Sequence, residues 1–166
     1  MVVLQTERLT LRQLREDDAP FIHALLNDPS FLRFIGDRGI RDLDGARRYI
    51  KRRVLRSYER NGYGLYLVVQ KADGRSVGIC GLVKRDGLDD TDIGFAFISD
   101  VHGLGYASEA SRAVMEFGRA ELGLQRIVAI TTSENRGSLA VLDKLGLVHV
   151  RNVTLPGSAD ELMLLA

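Results

Sequence analysis

The stretch Phe97-Ile98-Ser99-Asp100-Val101-His102-Gly103-Leu104-Gly105-Tyr106-Ala107-Ser108-Glu109-Ala110 decides how the chain folds, because two glycines join an apolar run to an amphipathic one. Ahead of it, Ile93 to Ile98 reads as a strand; beyond it, Ala107, Ala110, Val114 and Phe117 recur at the spacing that gathers apolar groups on one helix face. Glycine permits unusual dihedrals and a close ligand approach. The first N–H groups of a helix have no intrahelical partner and lie at the positive end of its dipole, so such a turn suits phosphate. A Walker loop requires Lys followed by Ser or Thr after its last glycine, and Tyr106-Ala107 excludes it. A dinucleotide fingerprint requires glycine where Ser108 stands and an acidic residue closing the next strand, which reads Arg126-Ile-Val-Ala-Ile-Thr131. A ligand-free helix start remains the structural alternative at this point.

The rest of the chain sets bounds on partners. With 166 residues the sequence suits one domain spanning 1–166, and an apolar content of 45% with 27% charge is ordinary for a globular chain. The net charge of +1 gives no global argument for nucleic acid or an anionic membrane. Cys80 is the only cysteine, which excludes an internal disulfide and a cysteine-rich metal site; it reads as a core residue of a strand. The three histidines lack zinc-ligand spacing. No stretch has the length and apolarity of a membrane span, and the opening Met1-Val-Val-Leu-Gln-Thr-Glu-Arg8 lacks the regions of a secretion signal, so a cytoplasmic location is expected.

Read in order, Leu9, Leu11 and Gln13 alternate with polar neighbours as an opening strand. A helix then starts with Asp17 or Asp18 as N-cap, buries Phe21, Ala24 and Leu25, and stops at Asn27-Asp28-Pro29. Residues 31–39 read as a loop or short helix with exposed aromatics. A second helix follows Asp42, with Leu43, Ala46, Ile50 and Val54 on one face and Gly62 as its stop. Its other face carries Arg48, Lys51, Arg52 and Arg56, which reads as solvated surface, with docking of an acidic partner the alternative. Aromatic interleaving is poor, so nucleic acid is not favoured. Strands at 63–70, 76–85 and 91–98, separated by Asp-Gly turns, form an antiparallel meander. The central helix runs over 105–122. A strand at 126–132, a helix at 139–145 and strands at 147–154 and 161–165 complete the order β-α-α-β-β-β-α-β-α-β-β.

With that order, the chain resembles the GNAT acyl-CoA-dependent N-acetyltransferases, and among them the RimJ and RimL ribosomal-protein acetyltransferase group. The similarity rests on four pieces: Thr6-x-Arg8-Leu9-x-Leu11-Arg12, Ile93-Gly94-Phe95, Gly103-Leu-Gly-Tyr-Ala-Ser-Glu-Ala110, and Asn135-Arg-Gly-Ser138-Leu-Ala-Val-Leu-Asp-Lys144-Leu-Gly146-Leu147. It implies an α/β (α+β) fold with a single mixed, mainly antiparallel sheet of about seven strands, flanked by about four helices, with a splayed strand pair at the cofactor site. It also implies acetyl-CoA as co-substrate, no metal, and acetyl transfer to a primary amine by direct attack. A non-catalytic acyl-CoA-binding module on the same fold is the alternative. The acceptor is a protein N-terminal α-amine or a small-molecule amine, without a membrane partner, and the expected state is monomer or homodimer.

The family turn Gln/Arg-x-x-Gly-x-Gly/Ala maps onto the segment from His102 to Ala107. By the resemblance, main-chain N–H groups of Gly103, Leu104, Gly105, Tyr106 and Ala107 take the diphosphate, while His102 replaces the family's Arg, Gln or Trp and either faces phosphate or lies on the surface. Phe97 and Ile98 lend main-chain groups to the pantetheine arm, and an N–H near Phe97 polarises the thioester carbonyl. Asn135 bonds the pantetheine amides. Ser138 lies near the sulfur as the acid, because Leu142 occupies the position of the family's tyrosine; the alternative is that Asn135 and Ser138 only cap a helix. Asp92, on the side of Gly94 and Ala96, relays a proton through water as the base, or is a solvated strand-edge charge. At pH 7 deprotonating a lysine-like amine costs about 4.6 kcal/mol and an α-amine about 1.4 kcal/mol, so one base candidate favours an α-amine acceptor.

Overall fold

The computed structural model describes residues Met1–Ala166 and builds one eight-stranded sheet in the order β1-β2-β3-β4-β5-β6-β8-β7. Its strands are β1 (Val2–Gln5), β2 (Leu9–Gln13), β3 (Leu65–Gln70), β4 (Ser76–Val83), β5 (Thr91–Phe97), β6 (Ile127–Thr131), β7 (His149–Val153) and β8 (Leu162–Leu165). The helices are α1 (Ala19–Leu26), α2 (Pro29–Phe34), α3 (Leu43–Tyr49), α4 (Arg56–Asn61), α5 (Tyr106–Ala120) and α6 (Arg136–Lys144). A π-helical segment, Ile50–Leu55, carries α3 into α4. The expected meander of β3, β4 and β5 is present and antiparallel.

Several expectations change, and Ala24 of α1, expected to be buried, is exposed. The sheet has eight strands rather than about seven, because the edge strand β1 pairs with β2 while its outer residues stay exposed, leaving no apolar alternation to read. The helices number six rather than about four, since Asp28 caps α2 through Ser30 N–H at 3.0 Å and turns the segment after Pro29 into a helix, and the π-helical segment divides the helix expected after Asp42 into α3 and α4. Phe31 of that helix is buried, not exposed, whereas Leu43 is exposed. Asp18 precedes α1 without capping it, because its carboxylate is taken by Arg12 and by the Arg15 N–H.

Each sheet face is covered by its own apolar layer. One layer joins Ile93 and Phe97 of β5 to Tyr106, Ala110, Val114 and Met115 of α5 and Leu142 of α6. The other sets Leu67 and Ile79 against Ile22 and Leu25 of α1, Ala46 of α3, and Ile50 and Val54 of the π-helical segment. Each fully buried leucine or isoleucine contributes about 1.5–3 kcal/mol relative to exposure, so these layers hold the helices to the sheet. On β4, Gly78 faces Phe97, and a Cβ there would meet the Phe97 ring at 2.6 Å; its absence lets that ring lie across β4. Cys80 is buried beside Ser111, and burial pushes its thiol up to about 12, so it stays protonated. No helix is long and apolar enough to cross a membrane.

The sheet divides at one place. β5 and β6 run parallel and pair only at Thr91–Ile127 and Asp92–Val128; beyond that rung β6 pairs with β8 instead. The segment from Ile93 to Phe97 and the segment from Ala129 to Thr131 therefore form the two arms of a fork.

Candidate active site

Ladder geometry fixes which groups face the fork. Ile98 N–H donates to the Val77 carbonyl at 3.0 Å, so Ile98, Ala96, Gly94 and Asp92 direct their main-chain groups at β4. The intervening Phe95 and Phe97 direct theirs away from β4, toward the gap. His102 turns back over this arm and donates from Nε2 to the Phe97 carbonyl at 2.9 Å. Its imidazole is thereby committed to the strand end rather than to the exposed side of the turn.

The turn itself is open. Gly103 and Gly105 both hold φ of +83°, a left-handed conformation that suits glycine, and Gly105 precedes α5 with no side-chain cap. The N–H groups of Gly103, Gly105, Tyr106, Ala107 and Ser108 have no acceptor within the protein, while Leu104 N–H donates to Val101 O at 3.3 Å. Of the five expected phosphate donors, Leu104 alone is already engaged. A Cβ on Gly103 would meet nothing within 4 Å, so the space beside this glycine is open. Unpaired donors at the positive end of a 15-residue helix fit a diphosphate.

Arg8, missed as a site residue in the sequence, lies against this turn. Its Nη1 donates to the Leu104 carbonyl at 2.9 Å, its Nε to Glu109 Oε1 at 2.8 Å, and its guanidinium lies 4.5 Å from the Tyr106 ring centroid. Glu109 Oε2 also accepts from Arg8 N–H at 3.0 Å and from Thr6 Oγ1 at 2.5 Å. Burial raises the Glu109 carboxyl, but the bonds from Thr6 and Arg8 outweigh it and hold the group below its ordinary value. The motif Thr6-x-Arg8 contained the signal; only the fold shows that its partner lies a hundred residues on.

On the β6 arm, Asn135 caps α6, its Oδ1 accepting from Ser138 N–H at 3.1 Å. That use of the oxygen leaves the amide NH2 as its free donor. Ser138 is half-buried and its hydroxyl makes no hydrogen bond within the protein, whereas Leu142 is packed in the core.

Asp92 stands at the last rung before the fork and is 1% exposed, so it is not a solvated strand-edge charge. Arg85, a partner absent from the sequence reading, donates from Nε to Oδ1 at 3.0 Å and Oδ2 at 3.2 Å. Burial pushes the Asp92 carboxyl up, against the opposing pull of Arg85. Tyr49, on the helix side of the sheet, is likewise raised by burial against the fields of Arg38, Arg85 and Arg53. Direct bonds thus join Arg8 to Glu109 and Leu104 on the turn, and separately His102 to Phe97 at the strand end. Asp92, on the rung below the fork, and Ser138, on α6 beyond the β6 arm, do not bond one another.

Known proteins share this architecture. Residues 8–148 match the family described as acetyltransferase (GNAT) domain. The uncharacterized N-acetyltransferase p20 of Bacillus licheniformis is 30% identical over 146 residues, covering 87% of this chain and 82% of that one. The acetyltransferase from Agrobacterium tumefaciens str. C58 superposes with a TM-score of 0.81 at 25% identity, over 99% of this chain and 93% of that one. RimL, a ribosomal L7/L12 alpha-N-protein acetyltransferase in complex with coenzyme A, shares the fold at a TM-score of 0.83 and 18% identity, over 99% of this chain and 96% of that one.

Proposed function

Because this chain belongs to the GNAT acetyltransferase domain family and is an N-acetyltransferase by that membership, we propose that it moves the acetyl group of acetyl-CoA to a protein or peptide α-amine. The observation that carries the reading is the fork between β5 and β6, which opens directly beside the uncapped start of α5. The N–H groups of Gly103, Gly105, Tyr106, Ala107 and Ser108 hold the diphosphate, since a multiply charged oxyanion gains charge-assisted bonds from donors that water alone otherwise serves. The pantetheine arm enters the fork along Phe97 and Ile98, and the Phe97 N–H directed into the gap stabilises negative charge on the thioester oxygen.

Asp92 takes the proton of the acceptor amine through water. A buried carboxylate with a raised pKa is a stronger base than an exposed one, which suits it to an ammonium group of modest acidity. The neutral amine attacks the acetyl carbon, the nitrogen sheds its second proton to water, the C–S bond breaks, and the Ser138 hydroxyl donates a hydrogen bond to the departing thiolate. Asn135 offers its amide NH2 to the pantetheine arm.

Thiol release measured with acetyl-CoA and a panel of amines at pH 7 and pH 9 tests this reading. Peptides with free α-amines are expected to turn over at pH 7, with polyamines gaining more from pH 9. A strong preference for polyamines at pH 7 removes the α-amine assignment, and no binding of coenzyme A by calorimetry removes the cofactor assignment.

A further inference from the structure

The proposed diphosphate turn has an electrostatic gap in its own sequence. From Phe97 to Ser111 there is no Lys or Arg, and two acids, Asp100 and Glu109, lie in that segment. Asp100 is turned to Arg75 at 3.0 Å, and His102 is bonded to the Phe97 carbonyl. A diphosphate approaching α5 would therefore meet dipoles but no full positive charge from its own segment, and a Glu109 carboxylate one turn into the helix. Arg8 is the cation that the fold bonds to this turn from outside it, and two of its guanidinium nitrogens are already committed there. Its Nη2 is uncommitted and lies 3.4 Å from the point where a Cβ on Gly105 would stand.

We propose that Arg8 is the charge-supplying and positioning residue of the cofactor turn, with Nη1 holding the Leu104 carbonyl and Nη2 beside Gly105 reaching the diphosphate. The inference rests on the cofactor reading above and deepens it. Fixing the Leu104 carbonyl sets the peptide between the two left-handed glycines, which aims the Gly105 N–H outward. The Arg8–Glu109 pair also cancels the acid's charge. Removing Arg8 leaves Glu109 repelling the phosphates as well as losing the attraction, so the effect on binding exceeds that of one contact. Removing the Glu109 carboxylate has the opposite electrostatic sign, although it loosens the same pair.

That opposition separates the proposal from a purely structural role. Calorimetry of the full chain with coenzyme A, dephospho-coenzyme A and pantetheine, for the unmodified protein, R8Q, R8K and E109Q, reads it directly. In R8Q the dissociation constant for coenzyme A is expected to rise about ten- to a hundredfold, the span of a charged hydrogen bond. Dephospho-coenzyme A, which keeps the diphosphate, should lose as much, and pantetheine, which lacks it, should bind unchanged. R8K should recover part of the loss, and E109Q should bind coenzyme A as tightly as the unmodified protein or more so. Equal weakening by R8Q and E109Q overturns the proposal, because the pair would then only shape the turn. So does a loss confined to coenzyme A with none for dephospho-coenzyme A, or an equal loss for pantetheine. If the unmodified protein binds no coenzyme A, the cofactor reading falls and takes this with it; the variant outcomes overturn this inference alone. Melting curves identify a variant that fails to fold, in which case the R8K and E109Q arms decide.

Discussion

Asp92 accepts from Arg85 Nε at 3.0 Å on the rung where β5 last touches β6, so the one buried carboxylate of β5 is held by a cation at the mouth of the fork. A base must be ionised to work, and burial raises this one while Arg85 lowers it. The acid limb of kcat/KM is therefore expected above the ordinary aspartate range, with activity falling as pH drops through the folded-state value. D92N should abolish that limb and cut kcat by about 10²–10⁴, the usual weight of a positioned base. R85Q should move the limb to higher pH by removing the opposing charge. A pH–rate profile for the three proteins checks this; a D92N profile overlying the unmodified one assigns the base elsewhere.

The acid role divides between a free hydroxyl and a blocked position. Ser138 has an unbonded hydroxyl beside the capped start of α6, while Leu142 is 1% exposed in the core. S138A is expected to lower kcat by roughly tenfold and leave the KM for acetyl-CoA near its starting value, because a coenzyme thiolate departs with little help from a donor. L142Y should not compensate. Its larger ring has no space between α6 and the sheet, so it should cost about 1–3 kcal/mol of stability without raising kcat. Steady-state kinetics with urea unfolding separates the two effects.

What the sequence made legible was what local periodicity encodes. The stripe Ala110, Val114 and the glycine pair before it locate α5 and its open start, and the Asp-Gly turns locate the meander, because each signal lies within a few residues. Arg8 and Arg85 were not readable as site residues, since an arginine reports its partner only once folding brings Glu109 or Asp92 to it. Asn135 kept two readings for a physical reason: an asparagine that caps with its oxygen still has an NH2 to offer a ligand.

The two turn glycines should respond alike in stability. Both hold φ of +83°, where an L side chain costs about 1–2 kcal/mol, so G103A and G105A are each expected to lose about that much. A methyl on Gly103 meets nothing, whereas one on Gly105 stands 3.4 Å from Arg8 Nη2. That is an ordinary contact that need not move the guanidinium, but the methyl takes up space beside Nη2 that the proposed diphosphate uses, so G105A should also raise the dissociation constant for coenzyme A. Urea titration and calorimetry measure the two; an unstrained G105A of full stability would contradict the left-handed turn.

Asp28 ties the start of α2 to the chain that leads from β5 into the cofactor turn. Its Oδ1 accepts from Ser30 N–H at 3.0 Å, Ser30 Oγ at 2.8 Å and Ser99 Oγ at 2.7 Å, and its Oδ2 from Ser99 N–H at 3.2 Å, so it caps α2 and anchors the chain just after β5. Burial raises the carboxyl, but the bonds from Ser99 and Ser30 outweigh it and leave the group below its ordinary value. A depressed carboxyl contributes stability that is present above its unfolded value and is lost as pH falls through its folded value. D28N should therefore cost about 1–2 kcal/mol at pH 7, the range of a lost cap, and the gap to the unmodified protein should narrow below about pH 4 as Asp28 takes up its proton. Urea unfolding of both proteins at pH 7 and pH 3 measures it, and a gap of equal size at both pH values would show that the contribution comes from shape rather than charge.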